Sequence, residues 1–464
     1  MRSFHYKHYL LLVLTVILAF NLLDRVALGI ILQDVKADLG LSDTQLGLLS
    51  GIAFTLFYSI MGIPIARWAD RGNRVTIIAV TALLWSVTVA LCGMAASFAQ
   101  LLAIRVLVAV GEAGCVPPAM SLLADYFSRH ERPRATAIYG VGAPIAGMLG
   151  FFLAGWFNEL YGWRMTFMLL GAPGVALAAL AWFTLEEPRR GRTRGRVYAA
   201  GADDIAHAQL HPSLREVFVT LWAYVTFRHL LLCIAVFFFF GYGIVQWLPA
   251  FFIRSYGLST GEIGTWLAVS MGLGGVAGTY LAGAFASRHA VHNESLQLKA
   301  IAIAIGCAGV LAAFVYLTSN PYWAFVLIGF YTLGIQTING PVLAAIQTLV
   351  PERMRAVSFA LIYLVANLLG MGLGPLTTGV LSDALNSWLG QESLRYALLI
   401  LAPGYLWCAA HAWFASRSVA GDLMRSPAAS LGADKPDATR GAAAVGGFAA
   451  RAEIGKVQSV SKAV

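Results

Sequence analysis

The chain contains 464 residues, of which 59% are hydrophobic and only 12% are charged, about half the roughly 25% that is typical of soluble domains. With a mean hydropathy of +0.72, this composition excludes a soluble enzyme and predicts a polytopic membrane protein. Lys and Arg outnumber Asp and Glu by 32 to 23, a net charge of +9. We expect no nucleic-acid partner, because no basic run outside the apolar segments carries interleaved aromatic residues.

Twelve apolar stretches are long enough to cross a bilayer as helices. They are centred roughly on 10–33, 45–66, 75–96, 99–123, 136–157, 164–185, 229–252, 262–286, 298–318, 322–346, 357–380 and 395–416. The first follows a basic start but is too long for a signal peptide and contains Asp24 and Arg25, so we expect it to stay uncleaved. The sequence therefore predicts an all-α fold with twelve transmembrane helices.

The distribution of positive charge predicts the orientation of these helices. If the N-terminus is cytoplasmic, the inner segments hold 26 Lys and Arg residues and the outer loops hold four. Since positively charged loops stay in the cytoplasm, we expect a multi-pass protein of the cell inner membrane with both termini inside.

A polar interval between the sixth and seventh apolar stretches, together with an internal repeat, divides the chain into two halves. Residues 41–47 match 258–264 at an offset of 217, and residues 131–135 match 352–356 at an offset of 221. Two matches at nearly one spacing predict two parallel six-helix bundles with a substrate cavity between them. The predicted units are a first bundle at 1–188, a cytoplasmic interdomain loop at 189–228, a second bundle at 229–417 and a disordered cytoplasmic tail at 418–464.

Four ionisable residues lie within the predicted membrane helices: Asp24, Arg25, Arg105 and Glu112. Each costs roughly 2.5 to 3.5 kcal/mol even on insertion scales, which indicates a functional role. At ~1.5 Å per residue, Asp24 on helix 1 and Arg105 on helix 4 reach the same depth. We therefore expect Asp24, Arg25 and Arg105 to share one layer, with Glu112 two turns deeper on the same face of helix 4.

This combination of charges suits coupling to protons. Low dielectric favours a neutral carboxyl group and a nearby guanidinium favours the carboxylate, so movement of an arginine can load or release a proton. We predict Asp24 as the proton carrier, Glu112 as a second relay or substrate contact, and Arg25 and Arg105 as gating partners or anion anchors. The alternative is a static ion-pair cluster, although hydrophobic residues would fix the helices without burying charge.

Charged residues near the inner ends of the helices predict an inner gate. Asp70, Arg71 and Arg74 follow helix 2, and Asp125 and Arg134 lie around the loop after helix 4. Ion pairs among such residues can hold one arrangement of the two bundles and break when the bundles rock. The alternative is that they only anchor the inner loops by the distribution of positive charge.

The second bundle has no acidic residue within its predicted spans. Its candidates for the substrate cavity are amides, which both donate and accept hydrogen bonds: Gln246, Gln336, Asn339 and Asn367. Hydrogen bonds between helices remain the alternative for each of them. The five cysteines lie inside apolar runs without a CxxC pair or a histidine at ligand spacing, so we expect no metal site.

Several motifs carry a resemblance to a known family. Residues 66–74 (ARWADRGNR) resemble the signature loop of the major facilitator superfamily, although Ala66 replaces its first glycine. Arg105 with Gly111 resembles the fourth-helix motif of that superfamily. Asn21-x-x-Asp24-Arg25, together with residues 41–47 and 62–74, is similar to the bacterial branch of Spinster-like transporters. The antiporter motif of helix 5 is resembled by Gly140, Pro144 and Gly147.

The resemblance implies the major facilitator fold and a proton-coupled carrier, and it implies a lysolipid or sphingoid-like substrate by extension from animal members. We expect a monomeric, non-enzymatic secondary transporter of an amphipathic or anionic organic solute that works by alternating access without a cofactor, driven by a proton gradient. The alternatives are an uncoupled facilitator, a carrier of small organic or aromatic acids, and a membrane receptor that binds ligand without flux.

Overall fold

A computed structural model of the chain describes residues 2–188, 214–290, 293–351 and 354–425. In the described part of the first half, the helices are α1 (Arg2–Leu39), α2 (Asp43–Ser50), α3 (Ile52–Arg71), α4 (Arg74–Cys92), α5 (Phe98–Glu112), α6 (Val116–Tyr126), α7 (Arg132–Gly140) and α8 (Gly142–Thr184). In the described part of the second half, they are α9 (Leu214–Trp222), α10 (Val225–Val245), α11 (Leu248–Tyr256), α12 (Thr260–His289), α13 (Glu294–Leu317), α14 (Pro321–Ile335), α15 (Asn339–Leu349), α16 (Arg355–Val365), a π-helical segment (Ala366–Gly372), α17 (Leu373–Leu389), α18 (Ser393–Leu401) and α19 (Gly404–Arg425).

These helices make twelve passes through the bundle, as the sequence predicts. Ten helical stretches of the described residues are long and apolar enough to span a membrane, and two of them contain 53 and 69 residues. At ~1.5 Å per residue, each of these two exceeds twice the ~30 Å of a hydrocarbon core. Each reverses near a glycine with positive φ, Gly162 (76°) or Gly390 (52°), a conformation that glycine adopts without steric cost. Each therefore crosses twice.

The sequence repeat corresponds to two helices, α2 and α12, that begin with the same capping residue. Ser42 caps α2 by accepting a hydrogen bond from the backbone of Gln45, and Ser259 caps α12 by accepting one from the backbone of Glu262. A serine at this position satisfies an amide that the helix itself leaves unpaired. The repeated Leu-Ser pattern thus marks the same turn in each half of the molecule.

The predicted boundaries of the connecting segments need correction. The sequence assigned residues 214–228 to the interdomain loop, but helix α9 and the start of α10 lie there. Helix α9 is held in place because the side chains of Val217 and Leu221 are buried. Helix α19 continues to Arg425, past the predicted start of the disordered tail at 418, and its Asp422 accepts a hydrogen bond from the backbone of Thr226. The predicted loop at 189–213 and the tail at 426–464 lie outside the described residues.

The twelve passes bring the start of α1 and the end of α19 to one end of the bundle, called here the terminal end; the other is the Asp43 end. The two halves meet at the Asp43 end, where α2 packs on α17 and α8 packs on α12. Glycines allow the backbones to touch: a Cβ added to Gly264 would lie 2.2 Å from the Phe151 carbonyl oxygen, and one added to Gly379 would lie 2.2 Å from the Asp43 carbonyl oxygen.

Glycines toward the terminal end have different surroundings. A Cβ added to Gly62, Gly140, Gly147 or Gly283 would meet nothing within 4 Å among the described residues. The halves are therefore closed against each other at the Asp43 end and separated around these glycines. The space between the halves therefore opens toward the terminal end.

Replacing Gly264 by Ala should force α8 and α12 apart and open the Asp43 end. Overpacking of this kind costs about 1–3 kcal/mol, which corresponds to a roughly 5- to 150-fold change in the ratio of the two states. The measurement is the distance between spin labels at Ala37→Cys and Ser387→Cys, in a Cys307→Ser background because Cys307 is exposed.

The matched control is Gly283→Ala on the same helix, where the added methyl group meets no neighbour. The interpretation of the closed interface would be wrong if Gly264→Ala and Gly283→Ala gave the same distance distribution.

A salt bridge at the terminal end predicts a pH dependence of stability. The hydrogen bond from Lys7 (Nζ to Oε1, 2.5 Å), with further bonds from Ser128, lowers the pKa of Glu131 from its ordinary 4.5 to about 2. A lowered pKa stabilises the fold above 4.5, and this contribution is lost as the pH falls toward 2. Glu131→Gln should therefore unfold at a lower temperature than wild type above pH 4.5, and the difference should shrink on acidification. A difference that does not change with pH would contradict this account.

Candidate functional site

The first buried ion pair joins α1 to α5. Arg105 Nη1 donates to Asp24 Oδ2 at 2.7 Å, and both residues are almost fully buried, at 1% and 2% exposure. Breaking a buried pair by removing one partner costs about 3–5 kcal/mol, because it leaves an uncompensated charge. Asp24 and Arg105 therefore occupy one layer of the first half.

The second ion pair joins the same two helices. Arg25 contacts Glu112 Oε2 through both Nε and Nη2 at 2.7 Å. Glu112 is completely buried, whereas the Arg25 side chain is 20% exposed. Each arginine is thus paired with the carboxylate of the other helix, and Glu112 belongs to the same charge site as Asp24 and Arg105.

Both carboxylates keep one oxygen without a hydrogen-bond partner among the described residues. These atoms are Asp24 Oδ1 and Glu112 Oε1, and the buried amide of Asn21, one turn before Asp24, also lacks partners within the described ranges. Buried polar atoms are usually hydrogen-bonded, and exceptions concentrate where function needs them. A proton arriving at either oxygen would convert an acceptor into a donor.

Two aromatic rings of α3 contact the arginines. The guanidinium of Arg25 lies 4.7 Å from the centre of the Phe54 ring and 4.6 Å from that of Tyr58, and the guanidinium of Arg105 lies 5.1 Å from that of Phe54. The two rings are stacked, with centres 5.9 Å apart. Such contacts attract a cation to the ring face and are strengthened when water is excluded.

A cavity lies beside this site, between the two halves. The first half contributes Arg25, Ser50 and Phe54, and the second half contributes Tyr242, Gln246 and Met371, among other residues. Gln246 Nε2 is buried without a hydrogen-bond partner among the described residues. The walls are therefore mostly apolar, with a guanidinium on one side and an amide donor on the other.

Of the other amides predicted for the cavity, Gln336 and Asn367 are not among the described residues that line it. Asn367 is half-buried in the π-helical segment, and Gln336 lies beside Gly275 of α12. The side chain of Asn339 is outside what the structure describes. The predicted fifth membrane helix is formed by α7, which ends at Gly140, and the first part of α8, which begins at Gly142. Pro144 is exposed and Gly147 half-buried on the first turns of α8.

The predicted inner-gate residues divide into two groups. Arg74 is buried and pairs with Asp125 at 2.7 Å and with Glu187, so this cluster ties α4, α6 and the end of α8 together within the first half. Asp70, Arg71 and Arg134 are exposed at the terminal end. Glu187 is not among the residues predicted from the sequence, because it follows the last apolar residue of helix 6.

Sequence reasoning missed a polar cluster at the Asp43 end. Asp43 accepts hydrogen bonds from Arg254, Lys36 and Ser382, at 2.6 to 2.7 Å. Arg254 and Ser382 belong to the second half, so the cluster bridges the halves. Its one sequence signal is the acidic residue after the Ser42 cap, in the first copy of the repeat.

Two further carboxylates cap helices across the same interface. Asp383 accepts hydrogen bonds from the backbone of Asp43 (3.1 Å) and Thr44 (2.8 Å) at the start of α2, and Glu159 accepts one from the backbone of Gly261 (2.8 Å) at the start of α12. Negative charge is stabilised at a helix N-terminus. Each half thus caps a helix of the other.

Comparisons with known proteins agree with this architecture. The sequence profile of the Major Facilitator Superfamily matches residues 14–375. An MFS-type efflux pump of Mycolicibacterium smegmatis is 31% identical over 394 residues, which is 84% of this chain and 87% of that protein. A hexuronate transporter of Bacillus subtilis is 24% identical over 410 residues, 82% of this chain and 89% of that protein.

A solved structure is also similar. It is a bacterial homologue of the human lysosomal transporter Spinster, in an inward-facing and unoccupied conformation. Its TM-score with this chain is 0.77 at 29% identity, and the match covers 90% of this chain and 98% of that one. A related structure of the homologue in an occupied conformation has a TM-score of 0.75.

Removing the Asp383 carboxylate should loosen the Asp43 end. We expect Asp383→Ala to expose the first amides of α2, because a lost helix cap costs about 0.5–2 kcal/mol. Hydrogen exchange of a peptide covering 41–50 should become several-fold faster. The control is Glu392→Gln, whose partner Arg395 lies three residues away in the same half. Equal exchange in both variants would refute the cross-half cap.

Proposed function

Because the chain belongs to the Major Facilitator Superfamily, we propose that it is a secondary transporter that moves an organic anion together with protons by alternating access. Membership of this family supports transport of an organic solute. The coupling to protons and the charge of the solute are our proposal, and they rest on the pairing of Arg25 with Glu112 beside the cavity.

The paired charges support proton coupling. Protonation of Glu112 would neutralise the partner of Arg25, and protonation of Asp24 would do the same for Arg105. Each event leaves a buried guanidinium without its counter-ion, a state that is unstable until the surroundings rearrange. A proton can therefore bias the equilibrium between the two arrangements of the halves.

Arg25 supports an anionic solute. It is the partly exposed member of the charge site and it lines the cavity. When Glu112 takes a proton, Arg25 becomes free to bind a carboxylate, sulfonate or phosphate group. Proton and anion then favour each other's binding, which is the condition for co-transport. The hexuronate transporter among the relatives carries a name that denotes an organic anion.

The orientation is part of the same proposal. Most of the Lys and Arg residues within the described ranges lie at the terminal end, so it would face the cytoplasm by the positive-inside rule. The closed Asp43 end would then face outward, and the cavity would open inward in this conformation. A bacterial inner membrane is the matching location.

Asp24→Asn tests the coupling. In proteoliposomes, the pH-driven accumulation of a substrate anion should fall to the level of protein-free vesicles, because Asn cannot carry the proton. Exchange of labelled for unlabelled anion without a gradient should persist. The matched control is Asp38→Asn at the Asp43 end of the same helix, where Asp38 pairs with the surface residue Arg164. If Asp24→Asn still accumulated the anion, Asp24 would not be the proton carrier.

The substrate class is tested on the same preparation. Thermal-shift screening should compare sugar acids, sulfonates, aromatic acids and lysophospholipids on wild type and on Arg25→Gln. We expect anions to stabilise the wild type. Their apparent affinity should fall roughly tenfold or more in Arg25→Gln, since a hydrogen bond to a charged group contributes about 1.5–3 kcal/mol. Stabilisation by neutral or cationic compounds alone would contradict the anionic assignment. Proton movement opposite to the anion would contradict co-transport.

A further inference from the structure

One aromatic ring contacts both arginines of the charge site. Phe54 is 1% exposed, and its ring centre lies 4.7 Å from the Arg25 guanidinium and 5.1 Å from the Arg105 guanidinium. Each arginine contacts a different carboxylate. The ring therefore contacts one arginine of each ion pair.

The ring can reduce the electrostatic repulsion between the two arginines. Two guanidinium groups repel each other, and the repulsion is strong where water is excluded. The face of a phenyl ring carries negative potential, so it attracts a cation while occupying space that a second cation would otherwise enter. A ring held against both groups disfavours exchange of their partners. The pairing of Arg25 with Glu112 and of Arg105 with Asp24 then stays defined.

The backbone around Phe54 contacts the other half of the molecule. Gly51, one turn earlier, packs on the Gly372 carbonyl oxygen of the π-helical segment, and a Cβ at Gly372 would lie 3.7 Å from Ile52 and Thr55. The Met371 sulfur lies 3.9 Å from Arg25 Nη1. The first turn of α3 therefore lies between the second half and the charge site, and movement of that half must act on the ring.

We propose that Phe54 is a positioning residue of the coupling site, whose ring keeps each arginine on its own carboxylate and transmits the movement of the second half to both ion pairs. This inference rests on the proposed function, because it assigns the ring a part in proton coupling. Phe54 itself carries no proton and forms no polar bond.

The charged and titratable groups around the ring come from several helices. Asp24 and Arg25 lie on α1, Tyr58 on α3, and Arg105 and Glu112 on α5. Cys92 of α4 faces Arg105, and Tyr242 of α10 faces Arg25. Substitutions at Phe54 leave all of these groups in place, so a changed pH response would report on their arrangement.

The test compares variants that separate the electrostatic role of the ring from its volume. Phe54→Leu and Phe54→Met remove the ring, whereas Phe54→Tyr and Phe54→Trp keep an aromatic face. Incorporation of 3,4,5-trifluorophenylalanine at position 54 keeps the shape and removes most of the negative potential. The readout is the label distance between Ala37→Cys and Ser387→Cys as a function of pH, with the unfolding temperature of each variant measured in parallel.

We expect the pH midpoint of the distance change to move by about one unit in Phe54→Leu, Phe54→Met and the fluorinated protein. The midpoint should move toward higher pH, since carboxylates that hold their arginines less firmly accept a proton more readily. Phe54→Tyr and Phe54→Trp should retain the wild-type midpoint. The fluorinated protein keeps the test decisive even if Phe54→Leu and Phe54→Met fail to fold.

Two results would overturn the inference. One is a wild-type midpoint in the fluorinated protein, which would reduce Phe54 to a packing residue of the cavity wall. The other is the same shift in Phe54→Tyr as in the non-aromatic variants. A wild-type protein whose label distance does not respond to pH would instead contradict the proposed proton coupling, so the two failures are distinguishable.

Discussion

The structure depends on the burial of four charges as two ion pairs between α1 and α5. Asp24, Arg105 and Glu112 are excluded from solvent, and neither helix could keep its charges in an apolar core without the other. The pairs sum to zero charge, so their burial is tolerable; each is sensitive to the loss of one partner. A proton is the smallest agent that can cause that loss. The stability of the first half and its proposed activity therefore come from the same contacts.

The two halves divide the work unequally. The first half carries the charges, and the second half presents Tyr242, Gln246 and Met371 to the cavity. The halves adhere at the Asp43 end through glycine contacts and through the reciprocal caps from Asp383 and Glu159. Helix caps contribute only about 1 kcal/mol each. Contacts of this size can be made and broken in each cycle of the proposed transport.

The sequence is informative where a physical rule acts locally. Hydropathy and length predict the twelve passes, and helix rise alone places Asp24 at the depth of Arg105. The pairing of Arg25 with Glu112 could not be predicted, because it depends on the directions of two long side chains. The contact of Asp43 with Arg254 joins residues 211 positions apart in different halves. Phe54 is hidden from sequence reasoning because it is one apolar residue in an apolar helix.

Met371 connects these observations. It lies in the π-helical segment, contacts Arg25, and precedes the glycine on which the first turn of α3 packs. A π-helical segment often occurs at functional positions, because its extra residue shifts the side chains that follow it. In the proposed cycle, opening of the Asp43 end moves α17 away from α2, and the adjoining π-helical segment that contacts Arg25 would move with it. The Arg25–Glu112 pair would then lose Met371 as a neighbour. In the proposed mechanism, protonation of Glu112, binding of an anion at Arg25 and separation of the halves all act on one guanidinium, and coupling through a shared group is reciprocal by thermodynamic necessity.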